Sequence, residues 1–200
     1  IHLQKPFDEV QEKTFEYSIA SDESTEENTF LSYNKVIGTT LDRELYQAFE
    51  ILDYALLSAP GAPLKKALTD AGIGKDIMGS YEDGIYQPFF SIVAKNADPK
   101  KKDEFVALIR STLEEIVKKG IDKKAILAGI NYMEFRFREA DYASYPKGLM
   151  YGLDVFDSWL YDDHHPFHYL CKLKVFENLK EKAQTRYFED LIKEYLLDNT

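Results

Sequence analysis

The chain has 200 residues, with Asp+Glu 35 against Lys+Arg 25, a net charge of -10, 44% hydrophobic residues and 14% aromatic residues. A chain of this length buries roughly 70% of its unfolded surface, so a true core is expected and a disordered polymer is excluded. The negative balance excludes the basic stripe that nucleic-acid binding needs to displace counterions, and leaves cationic partners as the compatible class.

Cys171 is the one cysteine, which rules out a disulfide framework and suits an intracellular, cytoplasmic or organellar compartment. No run approaches the length of a membrane span. The chain opens at Ile1 with neither an initiator Met nor a signal peptide, as expected of a piece of a longer polypeptide. Residues 1–12, with Pro6 biasing Lys5 away from helix, read as an extended lead-in, and residues 13–200 as a single domain.

Phe15, Tyr17 and Ile19 alternate with polar neighbours, the period of a half-buried strand. An acidic loop over residues 21–28 follows, and then a second alternating run through Leu31, Tyr33 and Ile37, ending at Gly38. Thr39 stands three residues before Asp42 as a helix start, and Leu41, Leu45, Phe49, Leu52 and Leu56 recur at helical spacing. Pro60-Gly61 stops that helix, Pro63 suits the first turn of the next, and Gly72-Ile73-Gly74 ends it.

Residues 77–81 and 85–94 read as a hairpin whose turn is Asp83-Gly84, since that pair supplies the positive φ of a tight turn. Pro88 cannot donate to a sheet ladder, which places the second strand at an edge or at a bulge. Downstream, Asp98-Pro99 and Asp122 open two helices separated by Gly120. The first carries Phe105, Ile109 and Leu113; the second carries Ile126, Ile130, Met133 and Phe137. After Pro146 a further helix has Leu149, Met150, Leu153, Phe156, Trp159 and Leu160 as its packing face, and residues 166–179 and 186–197 keep helical spacing. The order predicts an α+β fold, an antiparallel-rich sheet with helices packed on one face.

Residues 52–96 carry a resemblance. Leu56-Leu57 precede Pro60-Gly61-Ala62-Pro63-Leu64, then come Lys66-Ala67-Leu68, Ala71-Gly72-Ile73-Gly74 and the aromatic strand Phe89-Phe90-Ser91-Ile92. This pattern, with Met133-Glu134 and residues 146–159 further on, resembles the pitrilysin- and insulinase-type zinc metallopeptidases, specifically the presequence-protease branch. The resemblance implies four related α+β domains around a closed peptide chamber. It also implies zinc on an inverted H-x-x-E-H helix in the first domain, where two His bind the metal and the Glu is the general base.

The chain departs from that catalytic pattern. Its histidines are His2, His164, His165 and His168, and no Glu follows that cluster before Glu177, so H-x-x-E-H is absent. The stretch after Gly74 also lacks the Arg-rich signature of the fourth domain. The resemblance therefore implies the second, non-catalytic domain of the N-terminal half, with no catalytic residue here and zinc in the parent enzyme's first domain. It implies a structural and chamber-forming role in a metalloendopeptidase that degrades unstructured peptides. Its partners would be neighbouring domains of the same polypeptide and a peptide substrate, cationic by charge, with neither nucleic acid nor membrane.

His164, His165 and His168 beside Asp162 and Asp163 are the one cluster with metal-ligand chemistry, against which stands the reading of acids preceding a helix that opens at Pro166. The acid pairs Glu82 with Asp83, Glu114 with Glu115 and Glu139 with Asp141 read as charged faces, and Cys171 as a small core residue. Tyr81, Tyr86 and Pro88 are the residues expected to touch substrate or partner, by strand addition at the hairpin. Two alternatives stand beside the peptidase domain: a self-contained peptide- or protein-binding adaptor using that hairpin, and a small metalloenzyme built on the histidines.

Overall fold

A computed structural model describes residues 2–22, 24, 26–140 and 142–199. Three strands, β1 (Thr29–Val36), β2 (Asp76–Glu82) and β3 (Phe89–Ala97), form an antiparallel sheet in the order β1-β3-β2. The helices are α1 (Arg43–Asp53), α2 (Pro63–Asp70), α3 (Lys102–Lys119), α4 (Lys123–Glu139), α5 (Lys147–Trp159), α6 (Leu173–Lys182) and α7 (Tyr187–Leu191). A π-helical turn, Tyr54–Ser58, extends α1, and another, Ile192–Leu197, extends α7. This is the α+β arrangement expected from the element order.

The strand register lines up one row of side chains after another on the helix-facing side of the sheet. Leu31, Ala94 and Ile77 stand opposite one another, as do Tyr33, Ile92 and Gly79, and then Lys35, Phe90 and Tyr81. Strand alternation puts these rows on one face, and α1, α2 and the π-turn after α1 cover β2 while α3 and the C-terminal π-turn lie against β1. At the centre of the core, Phe49 of α1 meets Tyr81 at 5.8 Å, Phe90 at 6.1 Å and Tyr195 at 5.7 Å between ring centroids. That single side chain joins α1, two strands and the C-terminal π-turn.

Gly79 is where the helix layer comes closest to the sheet. A Cβ there would lie 2.3 Å from Leu57 Cδ1 and 2.7 Å from Asp53 Oδ1. Those two are side-chain ends, but Leu57 Cβ, 2.9 Å away, is fixed to the backbone of the π-turn and cannot swing aside. Gly79→Ala is therefore expected to cost about 1–3 kcal/mol through overpacking. Thermal unfolding would show it, and a melting temperature equal to the parent's would refute the close approach.

Several local readings change. Phe15, Tyr17 and Ile19 form no strand: among the described residues 2–28 have no regular element. Phe15 is 84% exposed, because no neighbouring strand offers a ladder there. Asp42, not Thr39, caps α1, its carboxylate accepting from Leu45 N–H at 3.0 Å. The connection between β2 and β3 runs over residues 83–88 rather than through a two-residue turn, and Gly84 does not take the positive φ such a turn requires. Pro88 precedes β3, which is the central strand, so the edge-strand reading fails. Pro88 is buried, and its carbonyl accepts from Ile37 N–H at 2.7 Å. Pro166 opens no long helix; a 3-10 turn (His168–Leu170) intervenes and α6 begins at Leu173. Cys171 is exposed in the link between them, not in the core.

Candidate functional site

The apolar face read for α5 is turned the other way. Phe156 is 47% exposed, Trp159 48% and Leu160 60%, with Leu149 and Leu153 also open to solvent. The opposite side, with Asp154, Asp157 and Ser158, faces the body of the molecule. Ser158 is fully buried, and its hydroxyl donates to the carbonyl of His165 at 3.0 Å. The α5 backbone is anchored as well: Thr40, itself fully buried, donates through its hydroxyl to the carbonyl of Asp157 at 3.1 Å. Tyr169 in turn donates to the Thr40 carbonyl.

Beneath α5 lies a group of carboxylates from three elements. Glu50 comes from α1, Asp83 from the β2–β3 connection, and Asp154 and Asp157 from α5. Lys172, just before α6, is the cation among them, 3.9 Å from Asp154 and poised over the rings of Tyr46 and Tyr169 at 5.7 and 5.4 Å. The Tyr46 hydroxyl faces Asp83 and Asp157.

One ammonium cannot compensate four carboxylates, and each leaves water on folding, so the charged forms are disfavoured. Burial pushes Glu50 up to about 7, opposed by Lys172 and reinforced by Asp83. Burial likewise raises Asp157 to about 7, with Asp83 and Asp154 adding to the effect. Asp83 and Asp154 move the same way for the same first reason. The arrangement is a clamp: Lys172 beside Asp154, and the Tyr46 hydroxyl of α1 facing both Asp83 and Asp157, tie α5 to α1 and to the β2–β3 connection. Sequence reasoning touched only Asp83, paired with the exposed Glu82. Asp154 and Asp157 at i and i+3, interrupting an apolar helix, were the available signal.

Other predicted residues are placed as follows. Tyr81 packs edge-on against Tyr46 at 5.8 Å, and its hydroxyl is buried with no hydrogen-bond partner. Tyr86, half-buried, stacks on Tyr161 at 4.7 Å and 14° between planes. Tyr81 stands in β2, an edge strand of the sheet, beside Tyr46, while Tyr86 and Pro88 lie in the β2–β3 connection.

The histidine loop is engaged with protein atoms. His165 Nδ1 lies 2.7 Å from Asp162 Oδ2, and His168 Nε2 lies 3.1 Å from the carbonyl of Leu41. Burial and Arg43 depress the His168 imidazole below its ordinary value. No three His, Cys, Asp or Glu side chains among the described residues converge as metal ligands. Glu115 pairs with Lys119, while the pair of Glu139 with Asp141 falls partly outside the described residues. No helix among the described residues is long and apolar enough to cross a membrane.

Comparison with known proteins bears on the whole chain. Residues 1–133 match the family described as the peptidase M16 inactive domain. Protein HypA of Clostridium perfringens is 45% identical over 200 residues, spanning all of this chain and 20% of that protein. Presequence protease 1 of Arabidopsis thaliana, chloroplastic/mitochondrial, is 29% identical over 205 residues, spanning all of this chain and 19% of that protein. The chain therefore spans about one fifth of the length of these relatives. The inactive peptidase domain of a candidate zinc protease from Bordetella parapertussis superimposes with a TM-score of 0.62 at 11% identity, covering 85% of this chain and 87% of that one. The M16 inactive domain from Pseudomonas fluorescens gives 0.53 at 12% identity, covering 85% and 38%. At such identities these two likenesses speak for the fold alone.

Proposed function

The chain belongs to the peptidase M16 inactive-domain family, and we propose from that membership that it is the second domain in the N-terminal half of a zinc metalloendopeptidase. It is a non-catalytic M16 domain. Its work in the longer polypeptide is to wall part of a chamber in which unstructured peptides are degraded, in an intracellular enzyme. Residues 1–12 serve as the lead-in and 13–200 as the domain. The observation that carries this reading is the match over residues 1–133 to a family described as inactive, in a chain whose sequence holds no H-x-x-E-H.

The zinc would sit in a domain outside this chain and supply the Lewis acid for peptide hydrolysis. No residue of this chain takes a step in that chemistry. Its own contribution is positional and electrostatic. A net charge of -10 favours cationic peptides at long range, and Tyr86 on Tyr161 offers a stacked aromatic surface, with Tyr81 and Pro88 as the other residues proposed to meet substrate or partner.

The test compares the long polypeptide with the 200-residue chain. The long polypeptide is expected to cleave an unstructured cationic peptide and to lose that activity to a chelator, and the 200-residue chain to cut nothing. Raising ionic strength is expected to slow capture of the cationic peptide more than that of a neutral one, since screening acts on the charge-steered part. Chelator-sensitive hydrolysis by the 200-residue chain alone would overturn the assignment.

A further inference from the structure

An amphipathic helix normally buries its apolar stripe and leaves its charges wet. In α5 the order is reversed: Asp154, Asp157 and Ser158 are held inward, and the stripe lies outside. Leu149, Leu153, Phe156 and Leu160 follow one another at intervals of four, three and four residues, which puts all four on one side of a helix. All four are exposed, and Trp159 stacks against Phe156 at 6.1 Å and 9° between ring planes, widening the stripe. Phe167, also exposed, follows in the loop beyond α5.

The stripe carries no charge, and its spacing is the spacing of a helix seam that receives ridges from another helix. A contiguous apolar surface of this kind on a soluble domain marks an interaction site. Three occupants are conceivable, and the features of the molecule separate them. A cationic peptide would seek carboxylates, and those of α5 are turned inward against Lys172 and Tyr46. An extended peptide would seek a groove, and what α5 offers is the exposed side of one helix. A folded domain of the same polypeptide fits both the shape and the arithmetic, because about four-fifths of each long relative lies outside this segment.

We propose that the outward face of α5 is a permanent contact between this domain and another domain of the same polypeptide. The proposal rests on the reading of the chain as one domain of a longer enzyme. It adds which surface makes the joint and why that surface is bare here. The clamp of carboxylates presents the joint: it uses the polar side of α5 for attachment to the body and so frees the apolar side for the neighbour.

Hydroxyl-radical footprinting of the full-length polypeptide tests this, with exposed Phe15 as the internal reference. Phe156 and Trp159 are expected to be labelled several-fold more slowly than Phe15, with no peptide added and at every protein concentration. Labelling at the rate of Phe15 would overturn the proposal. Protection that appears only when an uncleavable cationic peptide is added would assign the face to substrate. Protection that grows with protein concentration, alongside a dimer in sedimentation, would assign it to a second copy. Either result refutes the interdomain contact. The peptidase reading is judged separately by cleavage: protected side chains in a polypeptide that cuts nothing would keep the joint and remove the proposed activity.

Discussion

Phe49→Ala is expected to lower the unfolding free energy by about 3–5 kcal/mol, the usual cost of deleting a fully buried aromatic. The residue is fully buried, and its ring touches Tyr81, Phe90 and Tyr195. These neighbours belong to β2, β3 and the C-terminal π-turn, so no one element can shift to fill the space without parting from the others. Against a typical stability of about 5–15 kcal/mol this is a large loss. The measurement is the urea midpoint at unchanged slope. Phe15→Ala, at an exposed site, is the control and should stay within about 0.5 kcal/mol of the parent. A Phe49→Ala midpoint close to that of the control would mean that the core is not organised around this ring.

The second large effect is a loss of stability as pH rises from about 4 to about 7. Glu50 and Asp157 are both raised to about 7 in the folded chain, against roughly 4 when unfolded. Between those values the folded state binds more protons than the unfolded state, so the unfolding free energy falls with increasing pH. The contribution is complete at the acid end of that window, is lost through the folded values near 7, and is flat above. For the pair, discounted for partial exposure and mutual coupling, the change is on the order of 3 kcal/mol.

Glu134 acts in the opposite sense and at lower pH. Lys180 and Arg138 hold its carboxyl below the ordinary range, so its contribution is present above about 4.5 and disappears as the medium becomes more acidic. Denaturant titrations at a series of pH values would resolve the two limbs. Glu50→Gln should flatten the fall between about 4 and 7 and leave the chain more stable than the parent above it. A parent whose stability climbs steadily from pH 5 to 7 would contradict the clamp.

Much of the fold was legible because local chemistry and tertiary structure agree. Pro63 does stand at the first turn of α2, and Asp122 caps α4, while Asp98 caps a 3-10 turn (Pro99–Lys101) that leads into α3; each Asp accepts a backbone N–H two residues on. Gly120 closes α3 with positive φ. The apolar spacing of Leu45, Phe49 and Leu52 is the buried side of α1. In each case the deciding interaction lies within a few residues.

The errors share the opposite property. A period of two at Phe15, Tyr17 and Ile19 states which side chains would share a face, but a strand also needs a ladder partner, and none is there. Asp83-Gly84 can form a tight turn, yet the longer connection is held by tertiary hydrogen bonds, Thr40 N–H to the Tyr86 carbonyl at 3.0 Å and Ile37 N–H to the Pro88 carbonyl at 2.7 Å. Pro88 was compatible with an edge, but strand order is a global property, and β1 pairs with β3 across a long interval of sequence.

By itself the sequence determined the α+β class, most helix termini, the absence of the zinc-binding motif and the family resemblance. These are carried by residue identity and short-range spacing. The tertiary structure decided which way α5 faces and that Glu50, Asp83, Asp154, Asp157 and Lys172 meet. A helical period defines a stripe without saying what lies against it. The gain from setting Asp157 against Tyr46 and Thr40 exists only once segments more than a hundred residues apart have come together.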